Sequence, residues 1–226
     1  MQQFLDENAT ESAPATLSSQ AYRAIRIALM SGYFRPGERL TMRGLAEEMR
    51  MSVTPVREAI QLLITEHALF MPGARTVVVP RVTREQYDEI IQIRGALEGL
   101  AVTNALPFID AAQLAELKRI NARHRESIEA GNTVAALENN RAFHFGIYRH
   151  CRMPSLIDLI ENQWVRVGST LNFLYPRYSR SLSGNLFHEQ MLQAIEDRSA
   201  TRLVAALMGD LSTAKTEIHK ILAPAT

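Results

Sequence analysis

The stretch Thr41 to Ile64, TMRGLAEEMRMSVTPVREAIQLLI, constrains this chain more than any other. It predicts two short helices joined by a tight turn. The first runs from about Met42 to Met49 with Thr41 as N-cap, and Leu45, Ala46 and Met49 are spaced to face a core. Arg50-Met51 makes the turn. Ser52 has the side chain of a second N-cap, and Pro55 falls in the first turn, where its missing N–H costs nothing. Val56, Ala59, Ile60 and Leu63 form an inward stripe, which leaves Thr54, Arg57, Glu58 and Gln61 on other faces. A second helix that opens on small hydroxyl residues and an arginine is the pattern of a helix-turn-helix.

The run Ser52-Val53-Thr54-Pro55-Val56-Arg57-Glu58-Ala59 resembles the S-x-T-P-V-R-E-A core of the GntR family of bacterial winged-helix transcription regulators. Upstream, Gly32 to Leu40 resembles that family's G-x-x-x-P-G-x-x-L turn, at the family's separation. The resemblance implies a DNA-binding head over about residues 18–79, completed by a β-hairpin wing. Ala68–Met71 and Thr76–Val79 read as its strands, around a Pro72-Gly73-Ala74-Arg75 turn. The family's wing tip carries an arginine-glycine pair. Here Arg75 takes that role from a displaced position.

Charge agrees with a basic head. Residues 18–82 hold nine arginines against five glutamates, while the rest of the chain is balanced or slightly acidic. Arginine-rich solvated surface is the alternative reading of charge alone. On the DNA reading, Arg57 reads base edges, and Ser52 and Thr54 reach phosphates. The resemblance adds Arg43 as a base contact. Val53 stands where the family commonly has arginine, so the operator need not be the family's usual one.

Residues 1–17 are polar and aperiodic and predict a flexible arm; a helix follows over about Ser19–Ser31. Residues 80–83 read as a linker. Beyond it, amphipathic patterns predict six helices, at about Arg84–Ala105, Ala111–Ala130, Thr133–Arg149, Pro154–Phe173, Asn185–Glu196 and Ser199–Leu222. The expected fold is therefore mainly α: a winged helix-turn-helix, then an all-α antiparallel bundle over residues 84–226. Within the bundle, Arg94 to Glu98, Asn140 to His144 and His188 to Ile195 resemble the R-x-x-L-E, D-x-x-F-H and H-x-x-x-x-x-A-I motifs of the FadR-type effector domain, often called FCD. Six helices fit its VanR-like subgroup.

Four polar residues fall on the apolar stripes of three of these helices: Asn140 and His144, His188, and Asp210. Such groups are costly to bury without partners. They form either a satisfied polar core or a divalent metal site, with Zn²⁺, Ni²⁺ or Mn²⁺ suited to the donors. In metal-binding FCD domains the ligands are an Asp or Asn and three histidines. Asn140, His144 and His188 match, and Asp210 stands at the fourth place, with His219 as a fallback. The resemblance implies a small organic acid as effector, bound at or beside the metal. Arg94 can clamp its carboxylate, or simply pair with Glu98 one turn on. Tyr148, Arg141 and Trp164 are candidate pocket liners.

The resulting expectation is a cytoplasmic regulator that binds a palindromic double-stranded DNA operator as a homodimer, most often as a repressor. The single cysteine, Cys151, allows no internal disulfide, and no apolar run is long enough to span a bilayer. The rival class is a helical-bundle metalloenzyme acting on a small carboxylic acid. Against it, the chain has no Glu-x-x-His pair, no Gly-rich phosphate loop, no Gly-x-Ser-x-Gly and no His-Glu-x-x-His. A purely structural metal is the third reading.

Overall fold

The computed structural model describes residues 1–6, 16–73, 76–174 and 183–222. Its contacts divide the chain into two compact units, Met1–Arg81 with Trp164–Thr170, and Val82–Gln163 with Leu171–Thr226.

The first unit opens on α1 (Gln2–Asp6) and α2 (Leu17–Met30). The arm expected over residues 1–17 is corrected at its start, because Gln2–Asp6 is helical and Phe4 is fully buried, edge-on to Tyr33. One aromatic and one methionine in a polar segment supply that anchor, too few to register as periodicity. Helix α2 buries Ala21, Ala24, Ile25, Ala28 and Leu29. Its core stripe is thus built largely on alanines, which allow close approach to α4.

Helices α3 (Met42–Glu48) and α4 (Val53–Thr65) form the helix-turn-helix. Thr41 caps α3, its Oγ1 accepting from the Gly44 N–H at 3.0 Å. The turn closes as a Schellman motif: Met51 N–H donates to Ala46 O at 2.9 Å and Arg50 N–H to Glu47 O at 3.1 Å. Arg50 adopts φ 53° there, a left-handed conformation that glycine adopts without penalty. Arg50→Gly is expected to stabilise the chain by about 1 kcal/mol, read as a higher urea midpoint. An unchanged or lower midpoint would contradict that account of the turn.

Ser52 occupies the N-cap position of α4, but its side chain makes no cap hydrogen bond. The residue at the third helical position is Pro55, which has no N–H to offer. Val56, Ala59, Ile60 and Leu63 are fully buried, as their spacing predicts. Each large aliphatic among them contributes roughly 1.5–3 kcal/mol by leaving water.

Three strands complete the head, β1 (Arg39–Leu40), β2 (Phe70–Gly73) and β3 (Thr76–Val78), antiparallel in the order β1-β3-β2. The first wing strand starts two residues later than expected, because Ala68 and Leu69 are buried and both donate to Leu63 O, closing the end of α4. Pro72 is tolerated since β2 is an edge strand. Strand β1 is too short for any alternation to show in the sequence. Ala74 and Arg75, the expected wing tip, lie outside the described residues.

The second unit is helical. It comprises α5 (Arg84–Ala105), α6 (Ala111–Glu129), α7 (Thr133–Tyr148), α8 (Pro154–Val167), α9 (Ser183–Glu196) and α10 (Ala200–His219). The last residues of α8, from Trp164, group with the head unit. Thr83 with Gln86, and Asp110 with Gln113, form full capping boxes on α5 and α6. Asn132 and Ser199 cap α7 and α10. Helix α8 ends at Val167, earlier than the expected Phe173, and Gly168–Leu174 continue as 3-10 turns. A Cβ on Gly168 would lie 2.3 Å from Leu29 O and 2.6 Å from Met30 Cα, so only glycine fits that approach.

Candidate functional site

In the head, Thr54, Arg57, Glu58, Gln61, Leu62 and Thr65 of α4 are exposed, and Ser52 and Arg43 are exposed at the starts of α4 and α3. Glu58 accepts a hydrogen bond from the Ser18 hydroxyl of α2. The face left to solvent at the start of α4 is therefore hydroxyl and guanidinium groups, the chemistry of phosphate and guanine contact.

In the helical unit, α7, α9 and α10 bring His144, His188 and Asp210 together, with one potential ligand atom of each within 4.8 Å of the others. His144 Nε2 lies 3.2 Å from His188 Nε2 and 3.4 Å from Asp210 Oδ2. Ligands held at the roughly 2.0–2.1 Å of a zinc–nitrogen bond in a tetrahedron stand about 3.3 Å apart. The spacings thus fit a small divalent cation. The residues present suit it in chemistry as well: two imidazoles and a carboxylate, buried except for Asp210, which is partly open. Asn140 precedes His144 by one turn of α7 and is half-buried.

Gly209, beside Asp210, makes the approach of α9 and α10 possible. A Cβ there would come 2.3 Å from the Phe187 ring, and Phe187 precedes His188. His219 is not available as a fallback ligand, because its Nε2 lies 2.6 Å from Asp88 Oδ1.

Behind the imidazoles lie further polar groups. His144 Nδ1 is 3.1 Å from the Tyr148 hydroxyl, which donates to Glu98 Oε2 at 2.5 Å. Arg94 Nε donates to Glu98 Oε1 at 2.6 Å, so the Arg94–Glu98 pair is formed on α5. His188 Nδ1 is 3.1 Å from Asn121 Oδ1 on α6. The His124 ring lies 4.9 Å from that of His188, and Phe143 stacks on His188 at 4.1 Å.

Burial, then the neighbouring histidines, holds the His188 imidazolium well below the usual histidine range. Burial pushes His124 down to about 4 despite the opposing pull of Asp210. Burial and the Glu98 carboxylate push the Tyr148 phenol well up, so it remains a donor.

Asn121 and His124 were not anticipated. Their signal was present: they interrupt the apolar stripe of Leu117, Ile120 and Ile128 as Asn140 and His144 interrupt that of α7. Of the expected pocket liners, Tyr148 joins the cluster, Arg141 is buried on the same helix, and Trp164 groups with the head.

A three-stranded winged helix-turn-helix followed by an all-helical unit with convergent imidazoles defines a DNA-binding regulator of two-part design. The sequence profile "Bacterial regulatory proteins, gntR family" matches residues 17–79, and that of the FCD domain matches residues 89–213. The chain belongs to the GntR family, in its FCD branch, and is a transcription regulator rather than an enzyme.

Among its relatives is the HTH-type transcriptional regulator McbR of Escherichia coli (strain K12), 38% identical over 71% of this chain and 72% of that protein. The Nta operon transcriptional regulator of Aminobacter aminovorans is 25% identical over 85% of this chain and 90% of its own. The solved structure of E. coli McbR/YncC superimposes with a TM-score of 0.84 at 30% identity, covering 91% of this chain and 98% of that one. Among the described residues no helix is long and apolar enough to cross a membrane.

Proposed function

We propose that this regulator is a cytoplasmic repressor that binds a palindromic operator as a homodimer and releases it when a small organic acid binds beside a divalent metal. His144, His188 and Asp210 hold the metal, and Asn140 supplies a fourth donor. The observation that carries the reading is the pair of facing imidazole nitrogens with a carboxylate oxygen at matching distance. A tetrahedral metal with three protein ligands keeps one position for a carboxylate, and with Asn140 as fourth donor an octahedral ion keeps two. Arg94 is a second contact for the acid, in competition with Glu98.

At the DNA, Arg57 pairs with a base edge from the first turns of α4. Arg43 approaches from α3, and Arg75 from the wing. Ser52 and Thr54 meet phosphates, and the Ser52 hydroxyl spends no cap bond within the protein. Acid binding lowers operator affinity only to the extent that the acid favours one arrangement of the dimer over the other.

The test is selection from randomised duplexes at low ionic strength, followed by titration of the enriched site. Arg57→Ala is expected to weaken binding by about 5- to 150-fold and to relax one base position, the equivalent of roughly 1–3 kcal/mol. Undiminished affinity with unchanged preference would overturn the role of Arg57. An acid panel with metal-loaded and chelated protein then tests the effector: release that needs both acid and metal is expected, and release unaffected by chelation would place the acid elsewhere.

A further inference from the structure

The helical unit holds two runs of buried hydrogen bonds behind the candidate ligands, and together they involve four helices. On one side Arg94 and Glu98 of α5 meet Tyr148 of α7, which meets His144. On the other, Asn121 of α6 meets His188 of α9. Glu98, Tyr148 and His188 are 0% exposed, so no solvent competes for these bonds.

The direction of each bond follows from proton counting. A tyrosine hydroxyl has one hydrogen. Tyr148 gives it to Glu98, so the oxygen presents only a lone pair to His144. His144 Nδ1 must then carry the hydrogen and donate it to Tyr148, which leaves its Nε2 with a lone pair. Asn121 Oδ1 is an acceptor only, so His188 Nδ1 likewise carries a hydrogen and its Nε2 a lone pair. Two lone pairs at 3.2 Å, with the Asp210 carboxylate alongside, repel one another and attract a shared cation. Arg94, with Nε and Nη2 on the two Glu98 oxygens at 2.6 and 3.4 Å, holds that carboxylate in place as the acceptor.

We infer that Tyr148, oriented by the Arg94–Glu98 pair, and Asn121 are positioning residues that fix both imidazoles with Nδ1–H and so set the affinity of the site for a divalent cation. This rests on the metal reading of His144, His188 and Asp210. It adds that affinity resides partly in α5 and α6, which contribute none of the three clustered ligands. Outer partners of metal-bound imidazoles typically govern 10- to 100-fold in affinity.

The experiment titrates full-length protein with Co²⁺ and Zn²⁺ against a competing chromogenic chelator, and follows the visible Co²⁺ bands. Far-ultraviolet circular dichroism and the melting midpoint of the chelated protein report folding. Tyr148→Phe and Asn121→Leu keep shape and remove the hydrogen bond; each is expected to weaken binding by about 10- to 100-fold and to shift the Co²⁺ bands. Asn121→Asp keeps an acceptor facing His188 Nδ1 and is expected to bind much more tightly than Asn121→Leu.

His144→Ala is the reference that separates the two claims. If it binds Co²⁺ like the unaltered protein, the metal reading itself fails. If it loses Co²⁺ while Tyr148→Phe and Asn121→Leu keep unaltered affinity and bands, the site stands and the positioning role is overturned. Equal losses in Asn121→Leu and Asn121→Asp overturn the acceptor role of Asn121 and make it packing. Should Tyr148→Phe fail to fold, the two Asn121 variants decide.

Discussion

His188→Ala is expected to remove divalent metal from the purified protein, weakening its affinity by more than about 100-fold, beyond the roughly 10- to 100-fold that loss of an outer partner costs. His188 is 0% exposed, its ring stacked on Phe143 and its Nε2 aimed at that of His144. Alanine there leaves one imidazole, one partly exposed carboxylate and the neutral Asn140 amide, a set that lacks the second nitrogen donor. The measurement is elemental analysis after purification without chelator, paired with thermal unfolding. A metal at 100 times its dissociation constant stabilises the unaltered protein by about 2.7 kcal/mol, and this increment should vanish in the variant. A variant that retains metal and the increment would show that any metal lies away from these three residues.

In chelated protein, the buried imidazoles make stability fall with acid. His124 is 1% exposed, and burial holds it at about 4 in the folded chain against an ordinary 6.5. As pH falls below 6.5 the unfolded chain takes up the proton first and is favoured. The contribution is complete above pH 6.5 and is lost between 6.5 and about 4, amounting to about 3 kcal/mol. His188 adds a shift of the same sign. Urea unfolding at pH 7.5, 5.5 and 4.5 should show this fall, and His124→Leu should make it shallower. Equal pH dependence in the two proteins would mean that His124 is not held neutral by burial.

Much of the helix-turn-helix was legible in the sequence, because its determinants are local. Thr41 needs only the N–H of Gly44, and the inward stripe of α4 needs only the 3.6-residue period. The departures have equally local causes that propensity alone does not weigh: Pro55 removes the N–H that Ser52 would cap, and Leu63 O draws Ala68 and Leu69 out of the wing strand. Strand β1 was invisible because two residues have no period. The N-terminal helix was missed because its anchor, Phe4, depends on Tyr33, a partner distant in sequence.

By itself the sequence determined where the helices after α1 lie to within a few residues, which residues of α4 face inward, and that His144, His188 and Asp210 interrupt apolar stripes. Only the tertiary structure decided that these three meet, and that Asn121 and Glu98, through Tyr148, stand behind them. The physical reason is range. A helix is closed by bonds four residues long, whereas the cluster is closed by contacts between residues 44, 50 and 67 positions apart. Those depend on how the helices cross and rotate, which the packing of the whole unit sets.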